Sequence, residues 1–181
     1  TSYDYDEMGW MTGVTPPGGA AYASSTAYDP LGQPTSHTDP NGVTTTTDYD
    51  LLGQVTETSD PEGGATYTYT ASGRIASVTD GLSHTTTYDY DGLDRLIRVT
   101  YADGKVVVYA YDSAGNLVKT GAGASGDVDP IEMFYDANTG LVETVRYTNG
   151  QSSYDAAYAY DENGRIAEIE DWLTANGAGL R

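Results

Sequence analysis

The sequence contains no cysteine. Disulfide staples, thiolate metal sites and a cysteine nucleophile are therefore excluded. Lysine is nearly absent: Lys105 and Lys119 stand beside six arginines in a chain of formal net charge −19. A field this acidic repels nucleic acid and anionic membranes, so neither is an expected partner, and it favours solubility. No run of about 18 apolar residues occurs, so no membrane span is expected. No signal peptide is visible, and the first residue is not Met, which points to a fragment or a processed product. Phenylalanine occurs once, and Leu, Ile and Val only 10, 5 and 12 times in 181 residues. So small an aliphatic content with so high a net charge is the composition of a disordered chain.

Seventeen tyrosines argue the other way. Each can bury a ring and still satisfy its hydroxyl at a wet edge. Their placement is periodic. Aligned on the second tyrosine of a pair, or its single equivalent, the series is Tyr5, Tyr28, Tyr49, Tyr69, Tyr90, Tyr111, Tyr135 and Tyr160, at steps of 23, 21, 20, 21, 21, 24 and 25 residues. Aspartate follows directly at Asp6, Asp29, Asp50, Asp91, Asp112, Asp136 and Asp161, and only Thr70 breaks that series. Glycine lies four positions after the tyrosine at Gly9, Gly32, Gly53, Gly73, Gly115 and Gly164. One copy places it early, at Gly92, and one a position late, at Gly140. A period of this size decides an architecture.

Each copy reads as a β-hairpin. In "VVVYAYD" Tyr109 and Tyr111 share one face and Val108 and Ala110 the other. In "DSAG" Asp112 can accept backbone N–H groups as a turn residue, and Gly115 can supply the positive φ of a chain reversal. "NLVKT" is the return strand. A second turn closes each unit, as at 39–42 (DPNG), 60–63 (DPEG), 102–105 (ADGK) and 148–151 (TNGQ). Two strands of about six residues and two short turns fill one period. Eight copies give about 16 strands, more than an open twisted sheet of roughly ten carries without curling. The expected fold is all-β: antiparallel hairpins of about 21 residues forming a curved or spiral sheet, one region over residues 1–181. Tyrosines of adjacent copies would lie two strands apart, with Ile75, Leu96, Leu117 or Ile166 between them as a tyrosine–aliphatic ladder. Residues 121–130 are expected to form a glycine-rich loop insertion, and Pro34 to distort the second copy. The tail "RIAEIEDWLTANG" fits a strand or a short helix with a glycine cap, and the repeat favours the strand.

Y-x-Y-D-x-x-G-x-Leu/Ile at this period resembles the tyrosine–aspartate (YD) repeat of Rhs proteins, Tc toxin shell subunits and teneurins, and "YAYDSAGNL" and "YAYDENGRI" carry the resemblance most closely. It covers essentially the whole chain. The resemblance implies a β-sheet that spirals into a hollow shell. In bacterial members that shell encloses a toxic C-terminal polypeptide; in teneurins it is an extracellular adhesion scaffold. It implies a secreted or cell-surface location. Bacterial shells are typically several times longer and often end in an Asp-Pro-x-Gly-Leu-like motif that helps to free the toxin. Here Asp29-Pro30, Asp39-Pro40, Asp60-Pro61 and Asp129-Pro130 are the Asp-Pro pairs, and none starts that motif. Neither autoproteolysis nor the toxin carries over.

No residue is expected to do chemistry, and no cofactor or metal is expected. His37 and His84 lie near turns, too few for a zinc site. "SHTD" at 36–39 has the residue types of a triad without its required spatial convergence. Acidic turns suit calcium by donor type, but no twelve-residue calcium loop is present. Tyrosines on a sheet face can stack on sugars, yet a ring in every copy serves a ladder better than one site. The expectation is a non-enzymatic module in which Tyr and Leu/Ile form the ladder, Asp shapes the turn and Gly permits it. It would build the wall of an extracellular or secretion-associated shell or filament. Expected partners are further YD repeats of the same or neighbouring chains at the sheet edges, an enclosed toxin, or a surface glycan. A carbohydrate-binding adhesion module and a toxin-enclosing cocoon are the alternative functions.

Overall fold

The computed structural model describes residues 1–124, 127–149, 152–175 and 178–180. The protein is all-β, with one short 3-10 turn at Ala20–Tyr22 among the described residues. It divides into two compact units, Thr1–Thr86 and Thr87–Arg181.

The first unit holds β1 (Ser2–Tyr5), β2 (Met11–Thr15), β3 (Ser24–Tyr28), β4 (Pro34–Thr38), β5 (Thr44–Tyr49), β6 (Val55–Asp60), β7 (Gly63–Tyr69) and β8 (Ile75–Asp80), and β9 (Thr85–Tyr90) spans the division. Strands β1 to β8 pair antiparallel, each with its neighbour in sequence. The second unit holds β10 (Leu96–Thr100), β11 (Lys105–Tyr111), β12 (Leu117–Ala124), β13 (Asp127–Tyr135), β14 (Val142–Asn149), β15 (Ser152–Tyr160), β16 (Ile166–Ala175) and β17 (Ala178–Leu180). From Thr87 of β9 onward the same antiparallel meander continues through β17. The sixteen strands that eight hairpins provide are joined by one more, β17. The described part of the tail forms the strand β16, as the repeat favours, and residues 176–177 lie outside the described residues.

Each turn after a tyrosine is built on one aspartate. Asp29 donates its amide to the Gln33 carbonyl at 2.9 Å, and the Gly32 amide donates to the Asp29 carbonyl at 3.1 Å. Its carboxylate accepts from the amides of Leu31 and Gln33 at 2.8 and 2.9 Å. Asp50, Asp91, Asp112 and Asp161 repeat this pattern. Thr70 takes this place with its hydroxyl, which accepts from the Arg74 amide at 3.1 Å and meets the Ser72 hydroxyl at 2.9 Å. Asp39 and Asp80 use the pattern in the second turn of their copies. Gly115 closes its turn at φ 95°, in the left-handed region where a side chain costs about 1–2 kcal/mol.

The copy expected to use Gly92 departs from that expectation: the left-handed position is Asp94, at φ 59°. Aspartate tolerates this region better than most residues, so the turn keeps its length although the glycine sits elsewhere.

Every tyrosine strand meets its return strand with a register shift just before the second tyrosine. Ala27 faces Ser36 but Tyr28 faces Pro34, so Thr35 is passed over. The same one-residue bulge recurs in all eight copies. Two expectations fail at this level. Pro34 does not distort its copy: it is the first residue of β4, where a missing N–H is tolerated. Residues 121–130 are not a loop insertion: β12 and β13 run through most of them, pairing from Gly121↔Pro130 to Ala124↔Asp127. Glycine and alanine fit a strand whose ladder bonds come from the backbone alone, and Pro130 is accommodated there as well. The turn expected at 148–151 falls partly outside the described residues.

Burial is thin. No residue of the first unit is fully buried. Among the described residues the buried apolar side chains are Val99, Val106 and Ala156, all in the second unit, with Val106 only 1% exposed. Ladder hydrogen bonds and cross-strand pairs therefore carry most of the cohesion. In the first unit these pairs are hydroxyls, as in Thr38–Thr44 at 2.8 Å and Thr68–Ser77 at 2.6 Å. In the second unit a cross-strand row reads Lys119, Glu132, Arg146, Asp155. Arg146 grips the buried Asp155 with two bonds of 2.8 Å, and Lys119 reaches Glu132 at 3.4 Å.

Replacing Gly115 with Ala is expected to destabilise the fold by about 1–2 kcal/mol in urea unfolding, and Gly115→Asn by less, because only the left-handed φ is at issue. No atom lies where the new Cβ would sit, so equal costs for Ala and Asn would show that the φ argument is wrong.

Candidate functional site

The recurring feature with a defined geometry is the junction between one hairpin and the next. The bulge leaves the first residue of each return strand at the end of its pairing. Its carbonyl is met by a side chain from the following copy. Tyr28 donates its hydroxyl to the Met11 carbonyl at 2.9 Å, Tyr49 to Pro34 at 2.9 Å, and Tyr69 to Val55 at 2.7 Å. In the second unit Tyr111 donates to Leu96 at 3.0 Å, Tyr135 to Leu117 at 2.7 Å, and Tyr160 to Val142 at 2.8 Å. Each acceptor is the residue that faces the second tyrosine of its own copy. One position thus packs beside a ring of its own hairpin and binds the hydroxyl of the next.

A second contact links successive turns. The residue after the turn glycine leans on the turn of the following copy. Trp10 packs against Tyr28 with the rings tilted by 44° and centroids 5.6 Å apart. Gln33 donates to the Gly53 carbonyl at 3.4 Å and Gln54 to that of Gly73 at 3.3 Å. Arg95 donates to the Asp112 carbonyl at 3.2 Å and covers the Tyr111 ring at 4.6 Å from its centroid. The approach is close enough that a Cβ on Gly53 would sit 3.1 Å from the Gln33 amide nitrogen. That glycine serves its own turn and its neighbour's packing together.

The structure places the repeat residues as follows. Tyr5, Tyr28, Tyr49, Tyr69, Tyr90, Tyr111, Tyr135 and Tyr160 end their strands. The aspartates open the turns, and Gly9, Gly32, Gly53, Gly73, Gly115, Gly140 and Gly164 hold positive φ. Ile75, Leu96, Leu117 and Ile166 face the second tyrosine of their own hairpins across the strand pair. The tyrosine-to-carbonyl bond, the bulge, and the roles of Gln33, Gln54 and Arg95 are not in the sequence reading. The signal for the last group was available: a long polar or aromatic residue follows the turn glycine in most copies.

The remaining polar candidates are engaged locally. His37 meets the Thr26 hydroxyl at 3.0 Å, and His84 meets the Asp80 carboxylate at 3.2 Å. Asp39 accepts from both the backbone and the side chain of Asn41. Among the described residues no group of three metal-ligating side chains converges. An open groove in the second unit is lined by Asp136, Glu143, Tyr158, Tyr160 and Asp161.

The carboxylates of Asp39, Asp80, Asp91, Asp112, Asp136 and Asp161 are held below the usual aspartate range. For Asp39, Asp80, Asp136 and Asp161 the largest cause is a backbone amide, of Val43, His84, Thr139 and Arg165 respectively. For Asp91 and Asp112 it is a side chain, of Arg95 and Asn116.

Hairpins repeated at one period and joined by one junction define a β-repeat protein. The RHS Repeat family matches residues 28–65, 49–85, 69–106 and 90–126, and each match begins on the second tyrosine of a copy. The matches together span more than half of the sequence, and the chain belongs to the RHS repeat family. Solved structures share the fold. The Tc holotoxin pore of Photorhabdus luminescens aligns with a TM-score of 0.66 at 19% identity, over 88% of this chain and 9% of that one. The TcdB2–TccC3–Cdc42 structure aligns at 0.64 and 18%, over 88% and 9%. The TcdB2–TccC3 structure gives 0.65 and 18%, over 85% and 9%. The chain thus spans about a tenth of the length of these proteins. No curated protein sequence matches it.

Two outcomes are expected. Tyr111→Phe removes the donor from the Leu96 carbonyl and should cost about 1–2 kcal/mol, whereas Tyr109→Phe, outside the junction, should cost clearly less in the same urea titration. Stability should also fall with acid. A carboxylate with a depressed folded pKa contributes above its unfolded value, 3.8 here, and that contribution is lost as pH drops through the folded value. The melting temperature is expected to decline as pH falls from about 4, and Asp112→Asn should lessen the decline.

Proposed function

We propose that the chain is a non-enzymatic structural module that extends the wall of an Rhs-like shell or filament. The observation that carries this reading is the junction itself. The same phenol-to-carbonyl bond is made by Tyr28, Tyr49, Tyr69, Tyr111, Tyr135 and Tyr160. A binding or catalytic site needs one constellation, whereas a wall needs one joint repeated. Family membership and the shared fold with Tc toxin structures support the structural role.

The finer reading is an extracellular or secretion-associated wall that, with further repeats, encloses a toxic polypeptide. The net charge of −19 supports a strongly solvated surface. This chain spans 9% of the compared toxin chains, so enclosure would need additional repeats. No helix of the described residues is long and apolar enough to cross a membrane.

Electron microscopy of the protein isolated from its source, with an intact mass beside it, tests the proposal. Hollow particles or filaments with a mass far above 19.2 kDa are expected. A discrete monomer at high concentration would overturn the wall.

A further inference from the structure

The link between successive turns has one place in each copy: the residue whose carbonyl accepts the amide of the turn aspartate. Gln33, Gln54 and Arg95 stand there and donate to the next turn. Arg95 shows what that place can hold. Its guanidinium donates to the Asp91 carboxylate of its own turn at 2.7 Å and to the Asp112 carbonyl of the next turn at 3.2 Å, and it lies 4.6 Å from the centre of the Tyr111 ring. Carboxylate, carbonyl and aromatic face serve one planar cation together.

The seventh copy puts Leu141 in this place: the Asp136 amide donates to the Leu141 carbonyl at 2.9 Å, across a turn one residue longer than that of Arg95. Leucine has no donor to offer the eighth turn. Its Cδ1 lies 3.9 Å from where a Cβ on Gly164 would sit, so it gives that turn apolar contact only. A groove of about 630 Å³ opens here, lined by Asp136, Leu141, Glu143, Tyr160, Asp161 and Glu162 among others. It repeats the partners of Arg95, with Asp136 for Asp91, the Asp161 carbonyl for that of Asp112, and Tyr160 for Tyr111. The amides of Asn138 and Thr139 and the Thr139 hydroxyl all donate to Oδ1 of Asp136. Among the described residues no side chain donates to its Oδ2, the atom whose counterpart in Asp91 holds Arg95. The Asp161 carboxylate is already held by Arg165 at 2.8 Å, so that turn contributes its carbonyl.

We propose that this groove binds an arginine side chain of a basic polypeptide, which takes from outside the place that Arg95 takes within the chain. The carboxylates alone would be a solvated rim. The ligand is assigned by the chain's own guanidinium on the equivalent partners. Arginine fits better than lysine because a planar fork can meet a carboxylate, a carbonyl and a ring face at once. Leu141 offers an apolar floor to the methylene stem, and a net charge of −19 draws a basic polypeptide in. The wall reading concerns what recurs in every copy, whereas this site arises where one copy departs from the repeat, so either can fail without the other.

The test is a nuclear magnetic resonance titration of the chain with the tripeptide Gly-Arg-Gly, blocked at both ends, and with its lysine counterpart. Shifts centred on the amides of Thr139, Leu141, Glu162 and Gly164 are expected, with the arginine peptide bound roughly two- to fivefold more tightly than the lysine one. Leu141→Arg and Leu141→Gln supply the side chain from within and should abolish binding at the groove. Leu51→Arg adds the same charge on an exposed turn of the first unit and should leave it unchanged. No shifts at the groove, shifts spread evenly over the acidic surface, equal binding of the two peptides, or binding that survives both Leu141 variants would overturn the proposal.

Discussion

The carbonyl at each bulge is the constraint on which the rest of this structure depends. A sheet with almost no buried side chains cannot rely on a hydrophobic core. Its strands must be held by backbone ladders and by what crosses them. The bulge interrupts the ladder at a fixed place in every hairpin and leaves an acceptor there. A tyrosine hydroxyl from the next hairpin satisfies it at 2.7–3.0 Å. The ring reaches the neighbouring strand, so one side chain supplies apolar cover and a specific bond. Phenylalanine would give the cover without the bond, which accounts for tyrosine at Tyr28, Tyr49, Tyr69, Tyr111, Tyr135 and Tyr160.

The turn follows from the same requirement. Tyrosine and aspartate are consecutive, so the strand that delivers the phenol ends where the carboxylate begins to organise the reversal. Asp112 collects the amides of Ala114 and Asn116 at 2.9 and 2.8 Å, which fixes the length of the turn and hence the place of the bulge. Gln33, Gln54 and Arg95 then lean on the next turn. Between these fixed points the strands vary. The first unit fills them with threonine and serine pairs, and the second with longer strands, three buried aliphatic side chains and the Lys119–Glu132–Arg146–Asp155 row. The joint is constant and the strand faces are not, as expected of an element whose task is extension.

The period, the hairpins and the turn residues are legible in the sequence because each depends on residues close together in the chain. Asp112 and Gly115 are three apart, and the preferences of both are local. The errors came where a residue's preference was read without its pairing. Pro34 reads as a strand breaker, yet the first residue of a strand has no need of its N–H. The glycines of 121–124 read as a loop, yet their backbones pair with β13. Gly92 reads as the turn glycine, yet Asp94 holds the left-handed place.

The sequence by itself determined an all-β hairpin repeat, its period, and the aspartate and glycine that turn each copy. Only the tertiary structure decided what the tyrosine hydroxyls bind. Those bonds join residues 14 to 18 apart, on neighbouring strands, and end on a residue whose own pairing has shifted by one. A shift of one residue exchanges the faces of a strand, and it becomes visible only when the two strands are paired.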